Sequence, residues 1–134
     1  MKKLIVIIGL PGSGKTTLAK QLNDGSYYLF DDMNKNFHLL SEANNYNNII
    51  VTDPELCKYN QEFIIQKMND FFGPHEIQFI AFENEPELAT LNCSKRIDKQ
   101  VKKSYIYFLS KNYNPSEYLN IQPIYSKRGA IVNL

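Results

Sequence analysis

Residues 4–22 read LIVIIGLPGSGKTTLAKQL, and they join an apolar run to a helical segment through a glycine-rich turn. The β-branched run at 4–8 is typical of a central parallel strand that is covered on both faces. After the turn, Leu18 and Leu22 lie one helical turn apart, which favours a helix over 16–22. The turn decides the fold, because it matches G-x-x-x-x-G-K-[ST] in the strand-to-helix context that this pattern requires.

The turn predicts a site for nucleotide phosphates. Its glycines allow successive backbone N–H groups to point at phosphate oxygens, and the helix N-terminus adds the positive end of its dipole. We expect Lys15 to reach the β- and γ-phosphates and the Thr16 hydroxyl to ligate Mg²⁺. ATP, or another nucleoside triphosphate, together with Mg²⁺ is therefore predicted. The predicted nucleotide-binding residues of the turn are Gly9, Pro11, Gly12, Ser13, Gly14, Lys15, Thr16 and Thr17.

The composition is that of an ordinary globular protein. The chain has 134 residues, of which 43% are hydrophobic and 22% charged, and a single domain over residues 1–134 is expected. The net charge of +1 does not by itself favour nucleic-acid binding, so a basic footprint would have to be local. The apolar run is too short to cross a bilayer, and the expected location is cytoplasmic, with no membrane partner. The protein could form oligomers, but no sequence pattern indicates an oligomeric state.

The chain contains two cysteines. Cys57 and Cys93 form no CxxC pair and are expected to be reduced core thiols.

The alternation of strands with helices along the chain predicts an α/β P-loop NTPase/kinase fold, a three-layer α/β/α arrangement with a parallel sheet of four to five strands. The expected strands are 4–8, 27–30, 49–51, 77–82 and one around 121–125 or 130–132. The expected helices are 16–22, 55–72, one from Pro86, one over 104–112, and a loosely packed helix and loop within 33–48.

Asp53 ends an apolar strand, and that is where this fold keeps a carboxylate for the metal or for the acceptor. Asp53 is therefore a candidate metal ligand and acceptor-binding residue. Because Pro54 and Glu55 follow it, Asp53 is also a good N-cap for a helix. The two roles are compatible.

Asp31 and Asp32 stand at the carboxyl end of the second strand, across the open edge of the sheet from the phosphate turn. A carboxylate at this place can accept the proton of a hydroxyl that attacks the γ-phosphate. We assign Asp31 as this base, and Asp32 as a helix cap or a partner on the metal or acceptor side. The alternative is that one of the two only caps a helix that begins near Met33.

The stretch from Lys95 to Lys103 is basic and is expected to belong to a lid at about 93–104. Phosphoryl transfer needs positive charge on the equatorial oxygens, and a mobile arginine commonly supplies it because its planar fork holds two oxygens together. Arg96 is the candidate for this role. A solvated helix face would explain most of the lysines.

The order of these motifs resembles that of the P-loop kinases related to phage polynucleotide 5′-hydroxyl kinase. The resemblance runs from residue 1 to about 113, through MKKLIVIIGLPGSGKTT, YYLFDDM, IIVTDP and the SKR of LNCSKRIDKQV. It implies that Asp31 is the general base, Asp53 the active-site aspartate of the third strand, and Arg96 the lid arginine. The family places an arginine three residues beyond the base, to hold a phosphate of the acceptor. Here that position is Asn34, with Lys35 beside it as the candidate substitute.

The leading hypothesis is an ATP-dependent kinase that acts on an acceptor hydroxyl, most simply the 5′-hydroxyl of DNA or RNA. The alternatives are a kinase for a nucleoside, a nucleotide, another small molecule or a hydroxymethylated DNA base, and an ATP-binding module that works through a partner. A GTPase is disfavoured, because no Asn-Lys-x-Asp motif is present. Arg128 is a candidate for stacking on the nucleotide base.

Overall fold

The computed structural model describes residues 1–96, 101–118, 120–122, 125–127 and 130–131. Its strands are β1 (Lys2–Ile8), β2 (Tyr28–Phe30), β3 (Asn48–Thr52), β4 (His75–Phe82), β5 (Asn120–Gln122), β6 (Tyr125–Lys127) and β7 (Ala130–Ile131). Its α-helices are α1 (Lys15–Leu22), α2 (Leu40–Ala43), α3 (Gln61–Phe72), α4 (Pro86–Ser94) and α5 (Lys103–Ser110). Short 3₁₀ turns lie at Phe37–Leu39, Pro54–Lys58 and Pro115–Glu117.

The main sheet has five parallel strands in the order β2-β3-β1-β4-β5. The predicted α/β fold and its parallel sheet are thus confirmed. β1 is central, and its Ile5 pairs with Ile50 on one side and with Gln78 on the other. Because all five strands point the same way, their carboxyl ends share one edge, which is where ligands bind in sheets of this kind.

The core lies on both faces of this sheet, because alternate residues of each strand point to opposite sides. Leu4, Val6 and Ile8 of β1 pack into the larger of two buried apolar clusters. Ile5 and Ile7 pack into the second cluster, together with residues of α1. The apolar run is therefore a strand buried on both faces, as its composition predicts.

Tyr113 fastens the segment after α5 to the carboxyl edge of the sheet. Its hydroxyl lies 2.5 Å from the carbonyl oxygen of Phe82 and 3.2 Å from that of Ile8. The amide of Asn84 donates to the carbonyls of Ser110 and Tyr113, at 2.8 and 3.0 Å. These bonds fix the C-terminal end of α5 next to the ends of β1 and β4.

The prediction of one helix over 55–72 is wrong about where the helix begins, because α3 covers only Gln61–Phe72. The chain forms a 3₁₀ turn at Pro54–Lys58, breaks at Tyr59 and starts again as α3. The break has a local cause, because the side chain of Asn60 accepts a hydrogen bond of 2.8 Å from the N–H of Phe63 and so caps α3. In the described part of the chain, no helix is both long and apolar enough to span a bilayer.

The other expected elements lie close to their predicted bounds. Within 33–48 the structure has a 3₁₀ turn and the single turn of α2, in agreement with the loosely packed helix and loop. The C-terminal part contributes β5 to the main sheet, and β6 and β7 form an antiparallel pair.

Replacing Asn60 with alanine is expected to lower the free energy of unfolding by about 1 kcal/mol, because the first turn of α3 loses its cap. Asn60→Ser keeps an oxygen that can accept the same bond and should retain most of the stability. Urea unfolding followed by circular dichroism measures the difference. Equal stability of the alanine variant and the native chain would mean that this cap contributes nothing.

Candidate functional site

A cleft of about 1290 Å³ opens at the carboxyl edge of the sheet. The phosphate turn forms one wall, and the ends of β2 and β3 form the second. Described residues at the end of α4 and at the start of α5 form the third. Most of the site residues predicted from the sequence meet here. Those that line the cleft are Pro11, Gly12, Gly14, Lys15, Thr16, Thr17, Asp31, Asp32, Lys35, Asp53 and Arg96.

Three predicted residues are not part of this lining. Ser13 is fully buried, and a Cβ atom placed on Gly9 would lie 2.5 Å from the Ser13 hydroxyl oxygen. Gly9 and Ser13 therefore pack against each other within the turn and do not line the cleft. Arg128 lies outside the described residues.

The phosphate turn depends on glycine at two positions. Gly12 and Gly14 have φ angles of 86° and 104°, in the left-handed region that side chains disfavour. This curvature brings the turn around Lys15, whose Nζ donates to the carbonyl oxygens of Gly9 and Leu10, at 2.8 and 3.0 Å.

The environment of Lys15 suits an anion. Its side chain is buried, and burial lowers the pKa of its ammonium group, although the nearby carboxylates of Asp31, Asp32 and Asp53 oppose that shift. Within the described residues the ammonium makes no ion pair. A phosphate would supply the missing negative charge, so the turn fits a nucleoside triphosphate.

Asp31 stands directly opposite the phosphate turn. The Thr16 hydroxyl lies 3.1 Å from one carboxylate oxygen of Asp31 and 3.2 Å from the other. The Thr52 hydroxyl donates to the first of these oxygens. This contact joins Asp31 to the predicted metal ligand Thr16, whereas the side chain of Asp53 is bound by the N–H groups of Asn34 and Glu55. Among the described residues, no group of three or more histidine, cysteine, aspartate or glutamate side chains could hold a metal ion.

Asp53 caps the turn at Pro54–Lys58, as one of its two predicted roles requires. One carboxylate oxygen accepts from the N–H of Glu55 at 2.8 Å, and the other accepts from the N–H of Asn34 at 2.6 Å. Burial raises the pKa of the Asp53 carboxyl, and these two hydrogen bonds offset part of the rise. Asp53 therefore ties the segment after β2 to the end of β3, and it also faces the cleft.

No helix begins near Met33, so the alternative that Asp31 or Asp32 caps such a helix is wrong. Residues 31–36 form turns, and Asp32 has a φ of 48°. The chain reverses here because Asn36 donates from its side-chain amide to the carbonyl of Asp31, at 2.8 Å. The reversal leaves Asn34 and Lys35 exposed at the rim of the cleft.

Arg96 reaches the cleft because α4 packs on the phosphate turn. The side-chain amide of Asn92 donates to the carbonyl of Gly12 at 3.0 Å. Arg96 follows the end of α4, where its N–H donates to the carbonyl of Cys93 at 3.1 Å. Of the expected lid at about 93–104, residues 97–100 lie outside the described part of the chain.

Several residues that line the cleft were not among the predicted site residues. Tyr105 donates to Glu55 across the cleft at 2.7 Å. Lys20 lies one helical turn after Thr16, and that spacing is the signal that could have found it. The lining residues that were not among the predicted site residues are Lys20, Asn34, Pro54, Glu55, Asn92, Lys95, Val101, Lys102 and Tyr105.

The fold and the phosphate turn define an α/β protein with the P-loop kinase fold. Among solved structures, a gluconokinase from Sinorhizobium meliloti has a TM-score of 0.61 at 12% identity, over 89% of this chain and 79% of that chain. A shikimate kinase from Bacteroides thetaiotaomicron has a TM-score of 0.51 at 16% identity, over 90% and 85%. A structure from the PezAT chromosomal toxin–antitoxin system of Streptococcus pneumoniae has 0.55 at 15%, over 98% and 71%.

The chain belongs to the family described as chromatin associated protein KTI12. The family model matches residues 2–71, which are just over half of this chain. It is also similar to an uncharacterized protein of Acanthamoeba polyphaga mimivirus. The two are 32% identical over an alignment of 105 positions, and this alignment covers 74% of this chain and 76% of the viral protein. The matched family segment contains the phosphate turn, Asp31 and Asp53.

Replacing Gly12 with alanine is expected to destabilise the protein more than a positive φ alone explains. A Cβ atom at Gly12 would lie 2.4 Å from the Ala89 carbonyl oxygen and 2.8 Å from the Cys93 sulfur. Gly25 provides the matched control, because its φ is +102° but a Cβ there meets nothing within 4 Å.

Gly25→Ala should cost about 1 kcal/mol of backbone strain. Gly12→Ala should cost roughly 2 kcal/mol more, because α4 or the turn must move. Urea unfolding of both variants provides the comparison, and equal losses would show that α4 does not press on the turn.

Proposed function

We propose that this protein is an ATP- and Mg²⁺-dependent kinase that transfers the γ-phosphoryl group to an acceptor hydroxyl, the 5′-hydroxyl of a polynucleotide. The observation that carries the proposal is the contact between Asp31 and Thr16 in a cleft that also holds Lys15 and Arg96. A base, a phosphate-binding lysine and an arginine around one opening are the parts that phosphoryl transfer needs.

The phosphate turn would hold the donor. Its inward N–H groups and the Lys15 ammonium would bind the β- and γ-phosphates. Thr16 would hold Mg²⁺, with Asp53 facing the same cleft, and the ion when bound neutralises charge on the phosphate oxygens. Lys15 would then exchange its bonds to the carbonyls of Gly9 and Leu10 for phosphate oxygens.

The other two walls would act on the acceptor. Asp31 would take the proton of the attacking hydroxyl, and its attachment to β2 holds it in place while this happens. Arg96 would stabilise the negative charge on the transferring group with its planar fork of donors. A module that only binds ATP needs neither group, so both serve to distinguish a kinase from such a module.

Charge around the cleft supports a polyanionic acceptor. Lys20, Lys35, Lys95 and Lys102 all line it and are exposed, so phosphates beyond the reacting hydroxyl would meet several cations. The description of the family as chromatin associated agrees with a nucleic-acid partner. Lys35 would replace the arginine that polynucleotide kinases place at the position of Asn34.

A small-molecule kinase is the second candidate. It is favoured by the absence of that arginine at Asn34 and by the structural likeness to gluconokinase and shikimate kinase. In that case the acceptor would carry few phosphates, and the exposed lysines would be a solvated rim. The two candidates share the chemistry of Asp31 and Arg96 and differ in what the outer cleft binds.

Transfer of labelled γ-phosphate into a panel of acceptors tests the proposal. The panel contains 5′-hydroxyl oligonucleotides of DNA and RNA, nucleosides, nucleotides, gluconate, shikimate and hydroxymethylated duplex. Arg96→Ala is expected to lower kcat by about 10³-fold, and Asp31→Asn by roughly 10² to 10⁴-fold.

Lys111→Ala is the matched control, because this exposed cation does not line the cleft and its loss should leave turnover unchanged. Each variant is first checked for ATP binding, which should persist. If no acceptor is labelled and the rate of ATP hydrolysis is the same in Asp31→Asn as in the native chain, the kinase assignment is wrong.

The salt dependence of the acceptor KM separates the two candidates. For an oligonucleotide acceptor, log KM should rise steeply with log salt, and Lys35→Gln should reduce that slope by about 1 because one phosphate contact is lost. Lys67→Gln is the control, since Lys67 lies on α3 over aromatic rings and outside the cleft. A flat salt response would favour a small acceptor.

A further inference from the structure

Thr52 is buried at the end of β3, and the pairing of β2 with β3 brings it to Asp31. Phe30 lies opposite Val51 in the parallel register, so the next residue of each strand comes to the same place at the carboxyl edge. The side chain of Thr52 is completely inaccessible to solvent. It faces the inner side of the Asp31 carboxylate, away from the open cleft.

The Thr52 hydroxyl makes two hydrogen bonds of opposite sense. It donates to one carboxylate oxygen of Asp31 and accepts from the backbone N–H of Asp32, at 3.2 Å. Only a hydroxyl offers a donor and an acceptor on the same small atom, so serine is the one other small side chain that could replace it in both. The carbonyl of Thr52 also accepts from the N–H of Met33, at 3.1 Å.

These bonds add to those that Asn36 makes within the turn at residues 31–36. Asp32 has a φ of 48°, which costs a residue with a Cβ atom on the order of 1 kcal/mol. Its N–H is held by Thr52 and the following N–H by the Thr52 carbonyl, so the end of β3 stabilises the strained conformation. The direction of the Asp31 side chain is fixed at the same time.

We infer that Thr52 is a positioning residue for Asp31, an assignment that rests on the proposed kinase function. The hydroxyl of Thr52 occupies one oxygen of the carboxylate and stops its rotation. The second oxygen, whose only hydrogen-bond partner among the described residues is the Thr16 hydroxyl, is left to face the acceptor. A base that is already held in one orientation loses less conformational entropy when it accepts the proton of the attacking hydroxyl.

Four variants test this role. Thr52→Val keeps the shape of the side chain and removes the hydroxyl, and Thr52→Ser keeps the hydroxyl. Thr90→Val is the matched control, because the one bond of the Thr90 hydroxyl among the described residues is that of 2.7 Å to the Pro86 carbonyl, and Thr90 does not line the cleft. Asp31→Asn/Thr52→Val measures whether the two residues act as a unit.

Thr52→Val is expected to lower kcat by about 10 to 100-fold while the KM and the dissociation constant for ATP change less than about twofold. Thr52→Ser should restore most of kcat, and Thr90→Val should match the native chain. In the double variant, the valine should cost little beyond the loss that Asp31→Asn causes alone.

A native kcat for Thr52→Val overturns the assignment, as does a Thr52→Ser variant that is no better than valine. Fully multiplicative losses in the double variant also overturn it, because they place the effect of Thr52 outside Asp31. If Thr52→Val does not fold, Thr52→Ala replaces it in the same comparisons. A native chain that labels no acceptor contradicts the proposed function instead, which keeps the two failures apart.

Discussion

The ammonium group of Lys15 lies buried beneath the cleft, held by the carbonyl oxygens of Gly9 and Leu10. A charge in that position is costly unless polar groups and opposite charges surround it. The turn can direct its carbonyls inward because Gly12 and Gly14 adopt left-handed conformations. The carboxylates beyond the strand ends then oppose the fall in pKa that burial imposes on Lys15. The other walls of the cleft are arranged around this buried cation.

The same sheet holds the second half of the cleft in place. Asp31 follows β2 and Asp53 follows β3. The carboxyl ends of these neighbouring strands are linked by bonds from Thr52 and from the Asn34 N–H. The third wall is attached differently, since the side-chain amide of Asn92 on α4 donates to the carbonyl of Gly12 in the phosphate turn. Two walls are therefore fixed to one rigid sheet, and the third joins them through the turn itself.

Much of this arrangement could be predicted because the carboxyl ends of parallel strands share one edge. That rule alone brings Lys15, Asp31 and Asp53 together, and the structure agrees. The apolar periodicity gave the wrong helix boundary where a polar side chain caps a new helix within the pattern. The apolar pattern runs through residues 55–72 without a break, whereas Asn60 starts a new helix by capping it. The turn at residues 31–36 was not predicted either, because Thr52 of β3, and not a preceding helical turn, accepts from the N–H groups of Asp32 and Met33.

The sequence by itself determined the phosphate turn, the parallel α/β sheet and the residue types that meet at its edge, because these follow from local pattern and strand direction. Only the tertiary structure decided which polar groups pair. Thr52 meets Asp31 through the register of β2 and β3, and Tyr105 meets Glu55 from 50 positions away. Hydrogen bonds of this kind depend on distances of a few tenths of an ångström, and packing of the whole core sets those distances.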